Sequence, residues 1–195
     1  MFKMKTLLLL SVLVLLNNSS FQRVYGSSSL DAVSSPSSWI GQGQVLHFTN
    51  VSAQVTYDLG VYSDSVQLSA GGYSLTIVGP GLTLPTVGMY SNATRWPFMG
   101  AGAGMAFTGP GRGDNTLTGY FDVLQADYDN YGQVAAFAVD FVQYDEGNLS
   151  RWNNGSIRYN SDFPVPEPSA IFMFVIGLGV LCLRAGARYY KRSGA

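Results

Sequence analysis

The stretch QVAAFAVDFVQY, residues 133–144, decides the fold class, because large apolar residues alternate along it with small or polar ones. Positions 137, 139 and 141 are Phe, Val and Phe, while positions 136, 138 and 140 are Ala, Ala and Asp. A two-residue period is typical of a β-strand that turns one face to a core. The stretch therefore predicts a strand with its aromatic face buried.

A second strand is predicted just before it, at residues 116–125 (TLTGYFDVLQ), where Leu117, Phe121 and Val123 share one face. Between the two strands, residues 127–132 (DYDNYG) have the composition of a turn, so the strands should form an antiparallel hairpin. The same six residues resemble a calcium loop only loosely, because such a loop requires different residues at its later ligand positions. We interpret them as a hairpin turn.

Short β-rich segments continue the pattern along the rest of the chain, separated by glycine-containing breaks. They are residues 44–49, 51–58, 65–69, 73–78 and 155–159. No part of residues 27–163 shows convincing helical periodicity. The expected fold is all-β, an antiparallel sandwich or open barrel. Residues 27–38 are rich in serine, and we predict a mobile leader there.

Charge is unevenly distributed along the chain. Residues 27–163 contain four arginines, no lysine and eleven acidic residues, a formal net charge of −7, although the whole chain carries −1. Nucleic-acid binding needs a basic surface, so it is not expected. Cys182 is the only cysteine and His47 the only histidine, so neither a disulfide nor a histidine-rich metal site is predicted. We expect no cofactor and no metal.

The N-terminal segment has the organisation of a signal peptide. Lys3 and Lys5 precede an apolar run at residues 6–16, and cleavage is predicted after Gly26. An uncleaved membrane anchor is the alternative, but eleven apolar residues are short for a permanent span. We therefore predict a signal peptide over residues 1–26 and export of the residues after it.

The C-terminal segment combines an extended tripeptide, an apolar run and a basic end. Pro166 and Pro168 disfavour a helix, so the tripeptide Pro166-Glu167-Pro168 should be exposed. The apolar run at residues 170–183 predicts a single membrane helix at about 169–187. The expected stop-transfer residues after it are Arg184, Arg188, Lys191 and Arg192. Under the positive-inside rule they lie in the cytoplasm and the β-domain in the periplasm.

Together these three parts resemble the PEP-CTERM sorting signal of exported proteins in Gram-negative bacteria, also called an ice-binding protein C-terminal motif. The resemblance covers residues 164–192 and implies recognition of Pro166, Glu167 and Pro168 by an exosortase, a membrane-embedded cysteine transpeptidase. It implies an inner-membrane protein that reaches the cell surface or the medium after processing, and an association with exopolysaccharide. An ordinary tail anchor is the alternative.

Residues 111–119, 137–147 and 155–161 resemble a block found in uncharacterised bacterial secreted proteins. Those relatives commonly carry cysteine at the positions of Asp114 and Asp145, which implies that these two aspartates lie close together. Two nearby carboxylates repel each other unless they share a proton or a cation.

Three function classes stay open for the β-domain. The first, which we favour, is a structural surface or matrix protein without enzyme activity. The second is a carbohydrate-binding module, although we expect most of its aromatic residues to fill the core. The third is a secreted glycoside hydrolase, in which Glu146, the only glutamate of residues 27–163, would need an aspartate beside it.

Overall fold

The computed structural model describes residues 26–57 and 64–165, and in this part of the chain it contains ten β-strands. They are β1 (Ser27–Ser34), β2 (Val45–Phe48), β3 (Ser52–Thr56), β4 (Ser65–Ala70), β5 (Tyr73–Val78), β6 (Gly88–Arg95), β7 (Gly104–Thr108), β8 (Leu117–Tyr128), β9 (Val134–Asp145) and β10 (Trp152–Ser161). The all-β prediction is confirmed.

All ten strands belong to one sheet, in the order β2-β1-β10-β9-β8-β6-β7-β5-β4-β3. Neighbouring strands are antiparallel except β6 and β7, which run parallel over a short pairing of Thr94 with Gly104 and Arg95 with Met105. The sheet curls, so that β1 approaches β4 and β3 approaches β9 across its inner face. The architecture is a curled open half-barrel, so the open form of the prediction describes it better than two separate sheets do.

The predicted hairpin at the centre of the sheet is confirmed. β8 and β9 have twelve residues each and pair antiparallel from Leu117–Asp145 to Tyr128–Val134. At the turn, Asp129 Oδ1 accepts hydrogen bonds from the amides of Tyr131 and Gln133. The aspartate thus closes the turn with its own side chain, as expected for a turn rather than a calcium loop.

The core lies on the inner face of the curled sheet. Phe107 and Phe141 pack with ring centroids 4.9 Å apart, and Tyr90 stacks on Phe121 at 4.6 Å. The largest fully buried apolar side chains are Phe107, Phe121, Phe137, Phe141, Leu30, Ile40, Leu68, Leu75, Ile77, Met105 and Ile157. They come from both halves of the chain, so the curling of the sheet is what joins them into a single core.

The prediction of a mobile leader at residues 27–38 is wrong. Residues 27–34 form β1, which pairs with both β2 and β10, and Leu30 is completely buried. Serines are compatible with this strand because pairing with β2 and β10 satisfies their backbone hydrogen-bonding groups. Leu30 and Ala32 are the alternating apolar residues that face the core. Strands β6 and β7 were also not predicted, since their segments are short or largely exposed and lack a clear apolar alternation.

Several predictions fall on residues outside the described part of the chain. They are the signal peptide before Gly26, the tripeptide Pro166-Glu167-Pro168, the membrane helix at 169–187 and the basic residues Arg184, Arg188, Lys191 and Arg192. Over residues 26–57 and 64–165, no helix has the length and apolarity that a membrane crossing requires.

Candidate functional site

Asp145, the last residue of β9, is completely buried and accepts several hydrogen bonds. Its Oδ2 accepts from the Ser38 hydroxyl and the Trp39 amide, both at 2.7 Å, and its Oδ1 accepts from Asn153 Nδ2 at 2.6 Å. One carboxylate thereby ties the loop between β1 and β2 to the ends of β9 and β10. Buried carboxylates are stable when donors surround them in this way.

Asp114 lies beside Asp145 and is itself buried. Its Oδ2 accepts a hydrogen bond of 2.9 Å from Gln143 Nε2, and Gln143 in turn bonds the backbone N–H and C=O of Phe107. The pKa of Asp114 is raised to about 7, first by burial and then by the charge of Asp145 and a hydrogen bond with its side chain. The charge of Glu146 raises it further, while the Gln143 hydrogen bond lowers it.

A proton on Asp114 explains the remaining feature of this pair. Asp114 Oδ1 is buried and has no donor among the described residues. If Asp114 were ionised, that oxygen would be an unsatisfied acceptor beside a second carboxylate, whereas a protonated Asp114 can donate to Asp145. The structure therefore brings the two aspartates together as a buried carboxyl pair, and burial and the charge of Asp145 favour the protonated form of Asp114.

Glu146 is the next residue after Asp145, but its side chain contacts the segment before β8. Its two carboxylate oxygens accept hydrogen bonds from the Asn115 amide at 2.9 Å and the Thr116 hydroxyl at 2.8 Å. These bonds lower the pKa of Glu146, which is an exposed residue. Both oxygens are thus occupied in holding the segment before β8. No group of three or more His, Cys, Asp or Glu side chains suited to a metal ion occurs within residues 26–57 and 64–165.

A groove of about 920 Å³ lies on the outer face of the sheet, opposite the core. One row of mainly polar residues crosses it, because each residue is the direct cross-strand partner of the next. We call it the polar row: Met89, Asp122, Asp140, Ser156, Asp31 and His47, on β6, β8, β9, β10, β1 and β2 in turn. Directly opposite residues in antiparallel strands turn their side chains to the same face.

A second row runs beside the first, two residues further along each strand. We call it the apolar row: Tyr120, Val142, Asn154, Val33 and Val45, on β8, β9, β10, β1 and β2. Tyr120 is 40% exposed and Val45 is 75% exposed. The groove therefore has one polar side and one largely apolar side. Alternation in the sequence places these residues on the outer face, but only the pairing register shows that they align.

Arg158 is completely buried and pairs with Asp140, a residue that lines the groove. Its Nη2 lies 2.8 Å from Asp140 Oδ1, and its other donors bond the backbone carbonyls of Val139 and Ile157. Two more of its hydrogen bonds go to the carbonyls of Phe163 and Pro164, at 3.2 and 2.8 Å. We call these contacts the Arg158 clamp. It holds the chain where it leaves β10, at Phe163 and Pro164, two residues before Pro166.

Residues 164–192 match the family model described as the PEP-CTERM protein-sorting motif. The resemblance inferred from the sequence is confirmed by this match, and the motif indicates an exported surface protein processed by an exosortase. The match begins at Pro164, the residue whose carbonyl the Arg158 clamp holds. Neither the curated proteins nor the solved structures contain a match to this chain.

Proposed function

We propose that this chain is a structural surface or extracellular-matrix protein associated with exopolysaccharide, tethered to the inner membrane until an exosortase processes it. The observation that carries the proposal is the PEP-CTERM motif at residues 164–192. The residues that the exosortase recognises are Pro166, Glu167 and Pro168. The β-domain lies in the periplasm before processing, and at the cell surface or outside the cell afterwards.

The position at which the chain leaves the β-domain supports this order of events. The Arg158 clamp holds Pro164, and the apolar run predicted to enter the membrane starts at Ala170. Six extended residues span at most roughly 20 Å. Before processing, the folded domain therefore lies close to the membrane, with the tripeptide exposed between the clamp and the bilayer.

We propose no catalytic role for the β-domain. Glu146, which an acid pair would need, has both oxygens engaged by Asn115 and Thr116. Asp114 and Asp145 are buried beneath the loop that contains Ser38 and Trp39, where a substrate would have to displace that loop. Their arrangement suits a structural role, because it joins separate loops to the ends of β9 and β10.

The sorting step can be tested with Glu167→Ala in the producing cell. This variant should remain full-length in the inner membrane, because the motif's only charged residue between its prolines is lost. Asp162→Ala, which removes an exposed acidic residue just before the motif, is the matched control and should be processed normally. Normal release of the Glu167→Ala variant would refute the assignment of the tripeptide as the recognition element.

A further inference from the structure

We propose that the groove on the outer face of the sheet binds a linear glycan that carries no negative charge. This inference extends the proposed function by assigning a ligand to the β-domain of a surface protein. It rests on the groove and on the polar and apolar rows; every residue of the two rows precedes the sorting motif, and Val165 is the single groove-lining residue within it.

The polar row offers acceptors rather than free cations. Asp31 contacts His47 Nδ1 at 2.5 Å, and Asp140 contacts Arg158 at 2.8 Å. The Asp122 side chain makes no hydrogen bond or ion pair within the described residues, so its carboxylate is available to a ligand donor. Hydroxyl and ammonium groups are such donors. An anionic glycan would instead meet Asp122 without a compensating cation, because the Arg158 donors are already engaged.

The apolar row supplies the other half of the recognition. A sugar ring has an apolar C–H face and a hydroxyl-bearing edge, so it fits a groove with one apolar and one polar side. Tyr120 presents an exposed aromatic ring at one end of this row, and Val142, Val33 and Val45 continue it across the sheet. The two rows lie about 6.6–6.8 Å apart, the distance of two residues along a strand.

The groove wall contains one unsatisfied oxygen and one carboxylate oxygen whose partner is an ion pair. Ser29 Oγ is buried in a residue only 9% exposed, and it has no hydrogen-bond partner in the described part of the chain. Asp140 Oδ1 likewise makes no hydrogen bond, so its contact with Arg158 is an ion pair without a directed bond. Both residues line the groove, and an unsatisfied polar group such as the Ser29 hydroxyl is typical of a cavity wall that a polar ligand completes.

The direction and length of the groove favour a glycan over a peptide. A bound peptide strand would add to a free sheet edge, where backbone groups are unpaired. The rows instead cross the strands, and the strands between β2 and β8 are paired on both sides. With neighbouring strands about 4.8 Å apart, the polar row from His47 to Asp122 extends roughly 19 Å. An extended chain of several sugars suits that length.

Binding can be measured by titration calorimetry on the full-length protein in detergent, with cellohexaose, a chitosan hexamer and a polygalacturonate hexamer. We expect the neutral and the amino-sugar oligomer to bind and the acidic one not to. Tyr120→Ala should weaken binding by about tenfold or more, because stacking area is lost. Tyr131→Ala, at the exposed hairpin tip, is the matched control and should bind like the wild type. Asp122→Asn should weaken binding of the chitosan oligomer more than binding of cellohexaose.

Four outcomes would overturn the proposal: no binding of cellohexaose or the chitosan hexamer, equal or tighter binding of polygalacturonate, unchanged binding by Tyr120→Ala, or binding of an oligolysine control alone. The last outcome would indicate a cationic peptide as the ligand. Sorting is tested separately, because Glu167→Ala leaves the groove intact. If that variant is retained in the membrane and no glycan binds, only the glycan assignment fails.

Discussion

Asp114 and Asp145 are two neighbouring buried carboxyl groups at the end of β9, and the charge of Asp145 helps to raise the pKa of Asp114. Each also has a separate set of donors: Gln143 for Asp114, and Ser38, Trp39 and Asn153 for Asp145. A proton on Asp114 removes a repulsion that two ionised groups would suffer in a site of low dielectric constant. The pair therefore links the stability of the fold to pH.

The first prediction is that unfolding free energy falls as pH rises from about 4 to about 7. The pKa of Asp114 is 3.8 in its ordinary state and about 7 in the folded protein, so the folded state binds more protons across this window. The stability that Asp114 contributes is therefore fully present below about pH 4 and is lost as the pH rises towards about 7. At about 1.4 kcal/mol per pKa unit the loss is on the order of 4 kcal/mol. Urea denaturation at several pH values measures it.

Asp114→Asn is the control for this prediction. An asparagine keeps the shape of a protonated aspartic acid, so it can accept from Gln143 and donate to Asp145 at any pH. The stability difference between wild type and variant should change across the window, in favour of the variant at pH 8. A constant difference between pH 4 and pH 8 would mean that Asp114 does not titrate there.

The second prediction concerns the Arg158 clamp. Arg158→Met keeps much of the side-chain volume but removes the ion pair with Asp140 and the bonds to Phe163 and Pro164. We expect roughly 3 kcal/mol of lost stability, because hydrogen bonds from a buried charged group are broken. Cleavage by proteinase K just after β10 should become faster, since the chain there is no longer held.

Arg151→Met is the matched control, because this exposed arginine lies in the loop between β9 and β10, and only its backbone makes hydrogen bonds. It should change unfolding free energy by less than about 0.5 kcal/mol. Equal proteolysis of the Arg158→Met variant and the wild type would show that the clamp does not restrain the exit from β10.

The central hairpin could be predicted from the sequence because its information is local. Alternation identified β8 and β9, and the turn residues between them identified their connection. β1 was missed because only Leu30 and Ala32 reveal its inward face, and a serine-rich segment also suits a linker. Its place depends on pairing with β10, which lies more than a hundred residues away in the chain.

The candidate groove could not be predicted for the same reason. Asp31, Asp122 and Asp140 are far apart in sequence, and a shift of one residue in any pairing would turn a strand's side chains to the other face. The burial of Arg158 was equally hidden, because its partners are backbone carbonyls that every residue carries. In contrast, the sorting motif could be recognised from sequence alone, since its features are contiguous.

The third prediction concerns a disulfide between positions 114 and 145, tested in a Cys182→Ser background. The double variant Asp114→Cys, Asp145→Cys should oxidise after export if the two Cα atoms lie within about 7 Å. The unfolding free energy of the oxidised form should exceed that of the reduced form by roughly 2–4 kcal/mol, because the disulfide constrains the unfolded chain. The reduced form should be less stable than the wild type, since Asp145 no longer bonds Ser38, Trp39 and Asn153.

Melting with and without reductant measures this difference, and a mobility shift on a non-reducing gel reports bridge formation. Asp114→Cys alone is the control and should show neither effect. A double variant that stays reduced after export would show that the two backbones are too far apart to bridge.

The fourth prediction concerns Gly155 on β10, whose lack of a side chain allows the Phe141 ring to pack on the inner face. A Cβ at this position would lie 2.7 Å from two atoms of the Phe141 ring and 3.0 Å from the Ala32 Cβ. Gly155→Ala should therefore cost about 1–3 kcal/mol through overpacking, measured by urea denaturation. Gly102→Ala is the matched control, because its nearest neighbour, the Met99 carbonyl oxygen, is 3.5 Å away. Phe141→Leu should lower the unfolding free energy less in the Gly155→Ala variant than in the wild type, because the smaller side chain relieves the clash. Strictly additive costs would show that Gly155 is needed for a reason other than this contact.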